Sequence, residues 1–375
     1  MVFMPVVVLF FQSNGLNLRE VMTLNAIYSL SVAFFEIPSG YFSDRLGRKN
    51  SIILGTLFIT AQFSAYSFAF DFWSMTIGAV IGGLGASFIS GTDSAMLYDS
   101  LYTLDRQEDY LKWEGRSYAI GTFSEAVAAI IGGWLAFYYG LRFPIYVQVG
   151  ISSIGIITAL SLVEPPIHKE KTRGNWEQIR YILRYTFIDN KQLRFFIFLS
   201  STFGLASLLL AWFAQPYFDY KNIEEDVIGY LWAALNLTVA TFSLNAHHFA
   251  KIFTSKQLVF TILIGLSIGF FVLGTYAGVW LWLGLLAMFI MYALRGLASP
   301  TFLNLINQHA PSDMRATVLS MRGFSVRIVY AITAPILGWL ADVFSVLEAF
   351  LCMGVIIGLA TIVAIGFYSL ILQDS

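Results

Sequence analysis

Charge is what this sequence lacks most. Only 12% of its 375 residues are charged and 57% are hydrophobic, whereas soluble domains carry about 25% charged residues. Apolar runs long enough to cross a bilayer, about 18 residues or more, recur along the whole length. The composition therefore excludes an ordinary soluble protein and predicts an all-α polytopic membrane protein, and nothing in it indicates a nucleic-acid partner.

Cysteine and catalytic motifs are also scarce. The single cysteine, Cys352, lies in the last apolar run, so the sequence has no disulfide framework and no cysteine metal site. His247 and His248 are adjacent, and in a helix their side chains would point about 100° apart. No Walker-type loop, zinc motif or nucleophile elbow is present. We expect no catalytic residue, no bound metal and no cofactor.

Twelve apolar runs, separated by Asn, Gly, Pro and charged clusters, predict twelve spans. They lie at about 1–12, 18–42, 50–70, 73–101, 114–137, 143–163, 193–218, 225–245, 257–275, 278–306, 312–340 and 345–372. The first would rise only about 18 Å as a helix, against a hydrocarbon core of about 30 Å. We therefore expect a truncated first span, from a misplaced start or a fragment end.

The connections between spans differ in their lysine and arginine content. Sixteen of these residues lie in or at the edges of the even-numbered connections, and three lie in or at the edges of the odd-numbered ones. The positive-inside rule therefore predicts that both termini are cytoplasmic.

The longest connection divides the chain into a six-helix bundle over 1–163, a connector over 164–192 and a second six-helix bundle over 193–375. Within the connector, apolar residues at helical spacing accompany basic ones and predict a short amphipathic helix on the inner membrane surface. A plain linker is the alternative. The apolar residues are Trp176, Ile179, Leu183 and Phe187.

The two halves resemble each other. The sequence GGWLAFYYGLRFPIYV, which begins at Gly132, matches LGWLADVFSVLEAFLC, which begins at Leu337, at the same place in each half. Duplication explains this match. Two repeated bundles related by an axis along the membrane normal are an architecture of secondary transporters, whose substrate site lies near the membrane midplane.

The connection between the second and third spans reads GYFSDRLGRK and runs from Gly40 to Lys49. It resembles, position by position, the Gly-x-x-x-Asp-Arg-x-Gly-Arg-Lys signature of the major facilitator superfamily, in the loop where that family carries it. The resemblance implies a fold of two pseudo-symmetric six-helix bundles and transport of a small-molecule substrate by alternating access. It also implies a monomer in the lipid bilayer of the bacterial inner membrane.

The residue types of this segment suit a gate at the membrane edge. Gly40 would let a neighbouring helix approach closely, Gly47 would permit a tight turn, and Asp44 would meet the positive N-terminal end of the eleventh span. The alternative is that the basic residues only anchor the loop in the cytoplasm. The predicted gating residues are Gly40, Asp44, Arg45, Gly47, Arg48 and Lys49. Their expected partners in a latch are Asp93, Asp99, Arg315 and Arg322.

Charged side chains inside predicted spans are costly and usually face a cavity or a partner. Glu125 lies near the middle of the fifth span, and Arg327 lies at a similar depth in the eleventh. Such a carboxyl group can bind and release a proton as its surroundings change, so protons are the expected coupling ion. A permanent structural ion pair, or separate pairings elsewhere, are the alternatives.

The central cavity of the family would take polar and aromatic residues from the seventh and tenth spans. Packing, rather than substrate contact, is the alternative for each aromatic residue. The candidates are Trp212, Gln215, Tyr217, Tyr292 and Arg295.

Exporters of this superfamily often carry Gly-x8-Gly-x3-Gly-Pro-x2-Gly-Gly in the fifth span. The aligned positions here keep three of the five glycines and lack the proline, but all of them hold small residues. Small residues at these positions favour close packing of the two halves, and the pattern therefore favours export. They are Gly115, Ser124, Ala128, Ala129, Gly132 and Gly133. We therefore predict proton-coupled efflux of small amphipathic molecules. A proton-coupled importer of a small metabolite and a transport-inactive membrane sensor are the alternatives.

Overall fold

The structure is a computed structural model that describes residues 1–166, 184–275, 280–310 and 315–372. Within these ranges the regular structure is helical and contains no strand, as the composition predicts. Fourteen α-helices are numbered here in chain order over the described residues. They are α1 Val7–Ser13, α2 Leu18–Leu46, α3 Arg48–Phe68, α4 Phe72–Ile89, α5 Thr92–Thr103, α6 Tyr110–Tyr139, α7 Phe143–Ser161, α8 Lys191–Tyr220, α9 Glu225–Leu244, α10 Ala246–Ile252, α11 Ser255–Thr275, α12 Leu281–His309, α13 Arg315–Val343 and α14 Val346–Leu372.

Ten stretches of helix in the described residues are long and apolar enough to cross a membrane. The other two predicted spans correspond to α2, which is 29 residues long, and to the short apolar helix Met4–Ser13. Helices α2 and α8 contain internal prolines, Pro38 and Pro216, which are tolerated in membrane helices because neighbouring groups satisfy the freed backbone.

The predicted fourth span corresponds to one membrane-crossing stretch, Phe72–Thr103, but this stretch is interrupted. Helix α4 ends at Ile89 and α5 begins at Thr92. Between them Gly91 has a φ of +74°, a left-handed conformation that interrupts an α-helix. The Ser90–Gly91 dipeptide, which is typical of turns, is the sequence signal for this break.

Backbone contacts divide the chain into two compact units. The first comprises Met1–Lys171 and Asn222–Ala233, and the second comprises Thr172–Lys221 and Ala234–Ser375. The beginning of α9 therefore packs with the first unit, although it follows the long connector in the sequence. In the first unit α4 packs against α2 and α3, and α3 also packs against α7.

In the second unit α8 packs against α13 and α14, and α11 packs against α12 and α14. Most residues of α8 between Leu193 and Phe218 are buried. The amphipathic helix predicted in the connector lies mostly outside the described residues, including Trp176, Ile179 and Leu183. Its last apolar residue, Phe187, lies in a π-helical turn, Tyr185–Asp189.

Candidate functional site

The signature segment turns sharply at Gly47, between α2 and α3. Gly47 is buried and has a φ of +103° and a ψ of 154°, a combination that is essentially restricted to glycine. A Cβ atom at this position would lie 2.8 Å from the carboxylate carbon of Glu164. The turn therefore requires glycine both for its backbone conformation and for the space that the carboxylate occupies.

Glu164 caps the beginning of α3. The backbone N–H of Arg48 donates to its Oε1 at 2.7 Å, and that of Lys49 donates to its Oε2 at 2.7 Å. The first N–H groups of a helix have no partner within the helix, and the helix dipole favours a negative charge beside them. Sequence reasoning missed Glu164 as a site residue. Its only signal is a carboxylate next to Pro165 after the sixth span, and this does not identify the helix that it meets.

Arg48 reaches the second part of the broken fourth span. Its Nε lies 3.4 Å from Oδ2 of Asp99, and its Nη1 donates to the hydroxyl of Ser43 at 3.1 Å. Asp93 is exposed and accepts a hydrogen bond from the N–H of Ser94 at 2.8 Å. Of the two predicted aspartates, the described contacts therefore place Asp99, and not Asp93, beside Arg48.

The remaining gating residues are placed as follows. The Arg45 side chain is exposed, and its guanidinium lies 4.9 Å from the centre of the Tyr41 ring. A Cβ added at Gly40 would meet no atom of the first unit within 4 Å, so the close approach expected at this glycine is not found among the described residues of that unit. Glycine at position 40 therefore has no packing role there.

The other two predicted latch partners, Arg315 and Arg322, belong to the second unit. Nε of Arg322 donates to the hydroxyl of Ser200 on α8. The side chains of Asp44 and Arg315 are outside the described part of the structure. The pairing of Asp44 with the eleventh span therefore stays a prediction.

Glu125 faces a cavity in the first unit. It is half-buried at the middle of α6, and the cavity has a volume of about 330 Å³. Most of the lining atoms are apolar. Gln148 lines the same cavity, and its Oε1 accepts a hydrogen bond from the N–H of Val2 at 2.9 Å. Other lining residues are Gly121, Ser124, Ala128 and Ile151.

Arg327 is half-buried on α13 in the second unit. Glu125 belongs to the first unit, and the role of these two charges in proton coupling stays a prediction.

Three of the predicted cavity residues are fully enclosed. Gln215, Tyr217 and Tyr292 are each at most 1% exposed. The Tyr217 ring lies 6.2 Å from the ring of Phe218 and 6.1 Å from that of Phe350, all within the second unit. This arrangement agrees with aromatic packing, the alternative stated for Tyr217.

Arg295 and Trp212 complete the predicted set. The guanidinium of Arg295 lies 5.5 Å from the centre of the Tyr292 ring, and Trp212 is half-buried on α8. The buried hydroxyl groups of the same unit that have no hydrogen-bond partner among the described residues include those of Ser201 on α8 and Tyr330 on α13, besides that of Tyr217. Buried polar groups in native proteins usually have a partner, so these hydroxyls are further candidates for contact with a polar ligand.

The small residues of α6 allow a close approach of α9. A Cβ added at Gly133 would lie 2.5 Å from the carbonyl oxygen of Glu225 and 2.9 Å from the Cα of Gly229. A Cβ added at Gly229 would lie 2.7 Å from the carbonyl oxygen of Ala129. The two backbones touch here, as in other membrane helix pairs with small residues at the interface.

The chain was compared with protein families and with solved structures. Residues 1–327 match the model described as the Major Facilitator Superfamily. An MFS-type transporter of Methanocaldococcus jannaschii, MJ1560, is 23% identical over 349 residues, which cover 91% of this chain and 87% of the relative. Multidrug resistance protein 1 of Bacillus subtilis is 24% identical over 206 residues, which cover 54% of this chain and 51% of the relative.

Among solved structures, that of the nucleoside transporter NupG is similar to this chain with a TM-score of 0.84. The sequences are 12% identical, and the match covers 98% of this chain and 95% of the other. Similarity at this level of identity concerns the fold alone. It confirms the predicted twelve-helix fold.

Proposed function

This chain belongs to the Major Facilitator Superfamily of transporters, and we propose that it exports small amphipathic molecules in exchange for protons by alternating access. The observation that carries the proposal is Glu125, a half-buried carboxyl group at the middle of a membrane-crossing helix that lines a cavity of about 330 Å³. Ionisable groups at this depth are costly and are retained where they serve an ion or substrate pathway.

Proton exchange follows from the chemistry of a carboxyl group in two surroundings. An apolar environment favours the protonated form, and water or a nearby arginine favours the ionised form. When the cavity faces one side of the membrane and then the other, Glu125 binds a proton in one state and releases it in the other. Arg327, at similar depth in α13, is the proposed group that promotes release.

Export of amphipathic compounds is supported by two observations. The cavity lined by Glu125 is mostly apolar, which suits a substrate with a large hydrocarbon part. The small residues of α6 resemble the glycine pattern of exporters, and one relative, Multidrug resistance protein 1 of Bacillus subtilis, is named for drug resistance. We also propose that the chain is a monomer of the inner membrane. Both termini are assigned to the cytoplasm, because Lys and Arg favour the even-numbered connections.

A direct test uses purified full-length chain in proteoliposomes with an imposed pH gradient. The probes are ethidium and rhodamine 6G as amphipathic compounds, and uridine and D-xylose as hydrophilic metabolites. We expect proton-driven movement of at least one amphipathic dye, and a loss of at least tenfold in Glu125→Gln. Glu108→Gln, which changes an exposed carboxylate before α6, is the matched control and should transport normally.

The other functions give different results in this assay. Uridine or D-xylose moving with the proton gradient, without dye movement, would identify an importer. Absence of flux for every probe would favour the alternative function, a transport-inactive membrane sensor. Dye transport that Glu125→Gln leaves unchanged would show that another group couples transport to protons.

The gate is tested separately. We propose that Asp44 contacts the beginning of α13 near Arg322 when the cytoplasmic side is closed. Asp44→Arg and Arg322→Asp should each reduce transport and increase the labelling of cytoplasmic cysteine probes, and the double variant should restore part of both. The partner assignment is wrong if neither single variant changes transport or labelling.

A further inference from the structure

Arg142 occupies the N-cap position of α7 and contacts residues at the ends of other helices of the first unit. Its Nη1 donates to the backbone carbonyl of Ser67 at 2.9 Å, and its Nη2 donates to that of Ala69 at 3.0 Å. These carbonyls lie at the end of α3, where a helix has acceptors without a partner and its dipole favours a cation. The guanidinium also lies 4.0 Å from the centre of the Phe70 ring, just before α4. Arg142 therefore joins the ends of α3, α4 and α7.

The same guanidinium holds the end of α1. Its Nη2 donates to Oδ1 of Asn14, and the centre of the Phe10 ring lies 5.1 Å away. The Asn14 amide is oriented for this contact, because its Nδ2 donates to the carbonyl of Phe10 at 2.7 Å. None of the ion pairs among the described residues involves Arg142. The arrangement therefore uses the planar fork of donors and the aromatic stacking that distinguish arginine from lysine.

Residues 1–14, which we call the first segment, are also held at their other end. The backbone N–H of Val2 donates to Oε1 of Gln148 on α7 at 2.9 Å. A Cβ added at Gly132 of α6 would collide with the backbone carbonyl of Val2, so the first segment lies directly on α6 there. Arg142 and Gln148 thus fasten the two ends of the first segment to α7.

The first segment forms one wall of the cavity that Glu125 lines. Val2 lines this cavity together with residues of α6 and α7. Between the two fastened ends, the side chains of Val6 and Phe10 are fully buried, each at 0% exposure. Burial of apolar groups is not directional, whereas hydrogen bonds have a preferred geometry. The exact position of this wall therefore depends on the polar contacts at its two ends.

We propose that Arg142 is a positioning residue for the cavity of Glu125. By fixing the end of the first segment against α3 and α7, it keeps the wall formed by Val2 in the position that the substrate contacts. Arg142 is not among the residues that line the cavity, so it acts through the first segment. The proposal rests on the proposed transport through this cavity, and it adds a residue outside the cavity on which substrate binding depends.

Cysteine labelling of the purified full chain in detergent tests the position of the wall without transport. Cys352 is the single cysteine, so Cys352→Ala, Val6→Cys carries one thiol at a fully buried position of the first segment. We expect Arg142→Gln to raise the rate of labelling by a water-soluble maleimide at least tenfold, because the first segment is no longer fixed. Asn14→Ala removes only the acceptor on the first segment and should raise the rate by a smaller factor, at least threefold.

Two controls separate positioning from other effects. Arg106→Gln removes an exposed arginine of the same unit and is the matched control for the loss of charge. Glu164→Ala removes the cap at the opposite end of α3 and is the control for loss of stability. Both should leave the labelling rate of Val6→Cys unchanged.

Transport in proteoliposomes supplies the second readout. For a dye that the unchanged chain transports, Arg142→Gln should raise the KM at least fivefold and keep the maximal rate within twofold. The displaced wall weakens substrate binding, while the carboxyl group of Glu125 remains in place. Arg106→Gln should change neither quantity.

The outcomes that would overturn the proposal are distinct. Unchanged labelling in both Arg142→Gln and Asn14→Ala would show that these contacts do not fix the first segment. Equal acceleration in Glu164→Ala would show a general loss of stability in place of positioning. Faster labelling with an unchanged KM would show that the substrate does not depend on this wall. Absence of dye transport by the unchanged chain would contradict the proposed function instead, and the labelling rates would still test the role of Arg142 in holding the wall.

Discussion

The carboxylate of Glu164 accepts a hydrogen bond from the backbone N–H of Arg48 at 2.7 Å, across 116 positions of the sequence. Helix α3 has no side-chain cap of its own, because Gly47 occupies its N-cap position. Glu164, at the end of the sixth span, therefore provides the N-terminal cap that α3 lacks. This contact holds the beginning of α3 beside the end of α7.

Removal of this cap should destabilise the protein. Glu164→Ala loses both the acceptor oxygens and the charge, and should lower the free energy of unfolding by about 1–2 kcal/mol. Glu164→Gln keeps one acceptor oxygen and should lower the free energy of unfolding by less. Equilibrium unfolding in mixed micelles, followed by tryptophan fluorescence, measures this free energy for both variants. Glu108→Ala, at an exposed position, should change nothing, and equal effects of all three variants would contradict the cap.

Gly47→Ala should lower the free energy of unfolding by more than the same replacement at another glycine with a similar backbone conformation. Gly140, after α6, has a φ of 87° and a ψ of 159°, with no atom within 4 Å of an added Cβ. Gly140→Ala therefore measures backbone strain alone, about 1–3 kcal/mol. Gly47→Ala adds the collision with Glu164, so it should lower the unfolding free energy further.

A double-mutant cycle identifies that collision. In the Glu164→Ala background the carboxylate is absent, and Gly47→Ala should then cost about as much as Gly140→Ala. Additive effects of the two changes would show that Gly47 and Glu164 do not interact.

The ion pair of Arg48 with Asp99 should contribute less than the cap. The Arg48 side chain is 22% exposed and that of Asp99 is 31% exposed, and partly exposed pairs contribute about 0–1 kcal/mol. Asp99→Asn should therefore lower the unfolding free energy by less than Glu164→Ala does. Asp93→Asn is the matched control in the same helix and should have no effect. A larger loss for Asp93 than for Asp99 would show that the anion partner of Arg48 is misassigned.

Close packing of α6 on α9 predicts that a single methyl group is disruptive. Gly133→Ala places a Cβ 2.5 Å from a backbone oxygen, so the helices must separate, and both Tm and dye flux should fall. Gly150→Ala on α7 meets no atom within 4 Å and should leave both unchanged. Normal flux in Gly133→Ala would show that this contact does not limit transport.

The sequence predicts those features that depend on local chemistry. The spans follow from the length of helix needed to cross a bilayer, and the turn at Gly47 follows from a glycine between two long apolar runs. The sequence also predicts two acidic latch partners in the fourth span, Asp93 and Asp99. It does not distinguish which of the two contacts Arg48.

Features that depend on packing were not predictable in the same way. The cap by Glu164 arises because α7 packs against α3, and no local pattern indicates which helix a terminal carboxylate meets. The role of Tyr217 was not predictable for the same reason. The sequence around an aromatic residue of a membrane helix is the same whether its side chain packs against Phe350 or lines a cavity. The close approach expected at Gly40 is not found among the described residues of its unit.

The break at Gly91 makes α5 a separate short helix with polar contacts to two neighbouring helices. Asp99 joins it to Arg48 of α3, and the hydroxyl of Ser94 donates to Glu114 of α6 at 2.7 Å. Because α6 also carries Glu125, α5 connects the signature segment with the helix whose carboxyl group lines the cavity. The glycine that interrupts the fourth span thus creates a short bridging helix between the two.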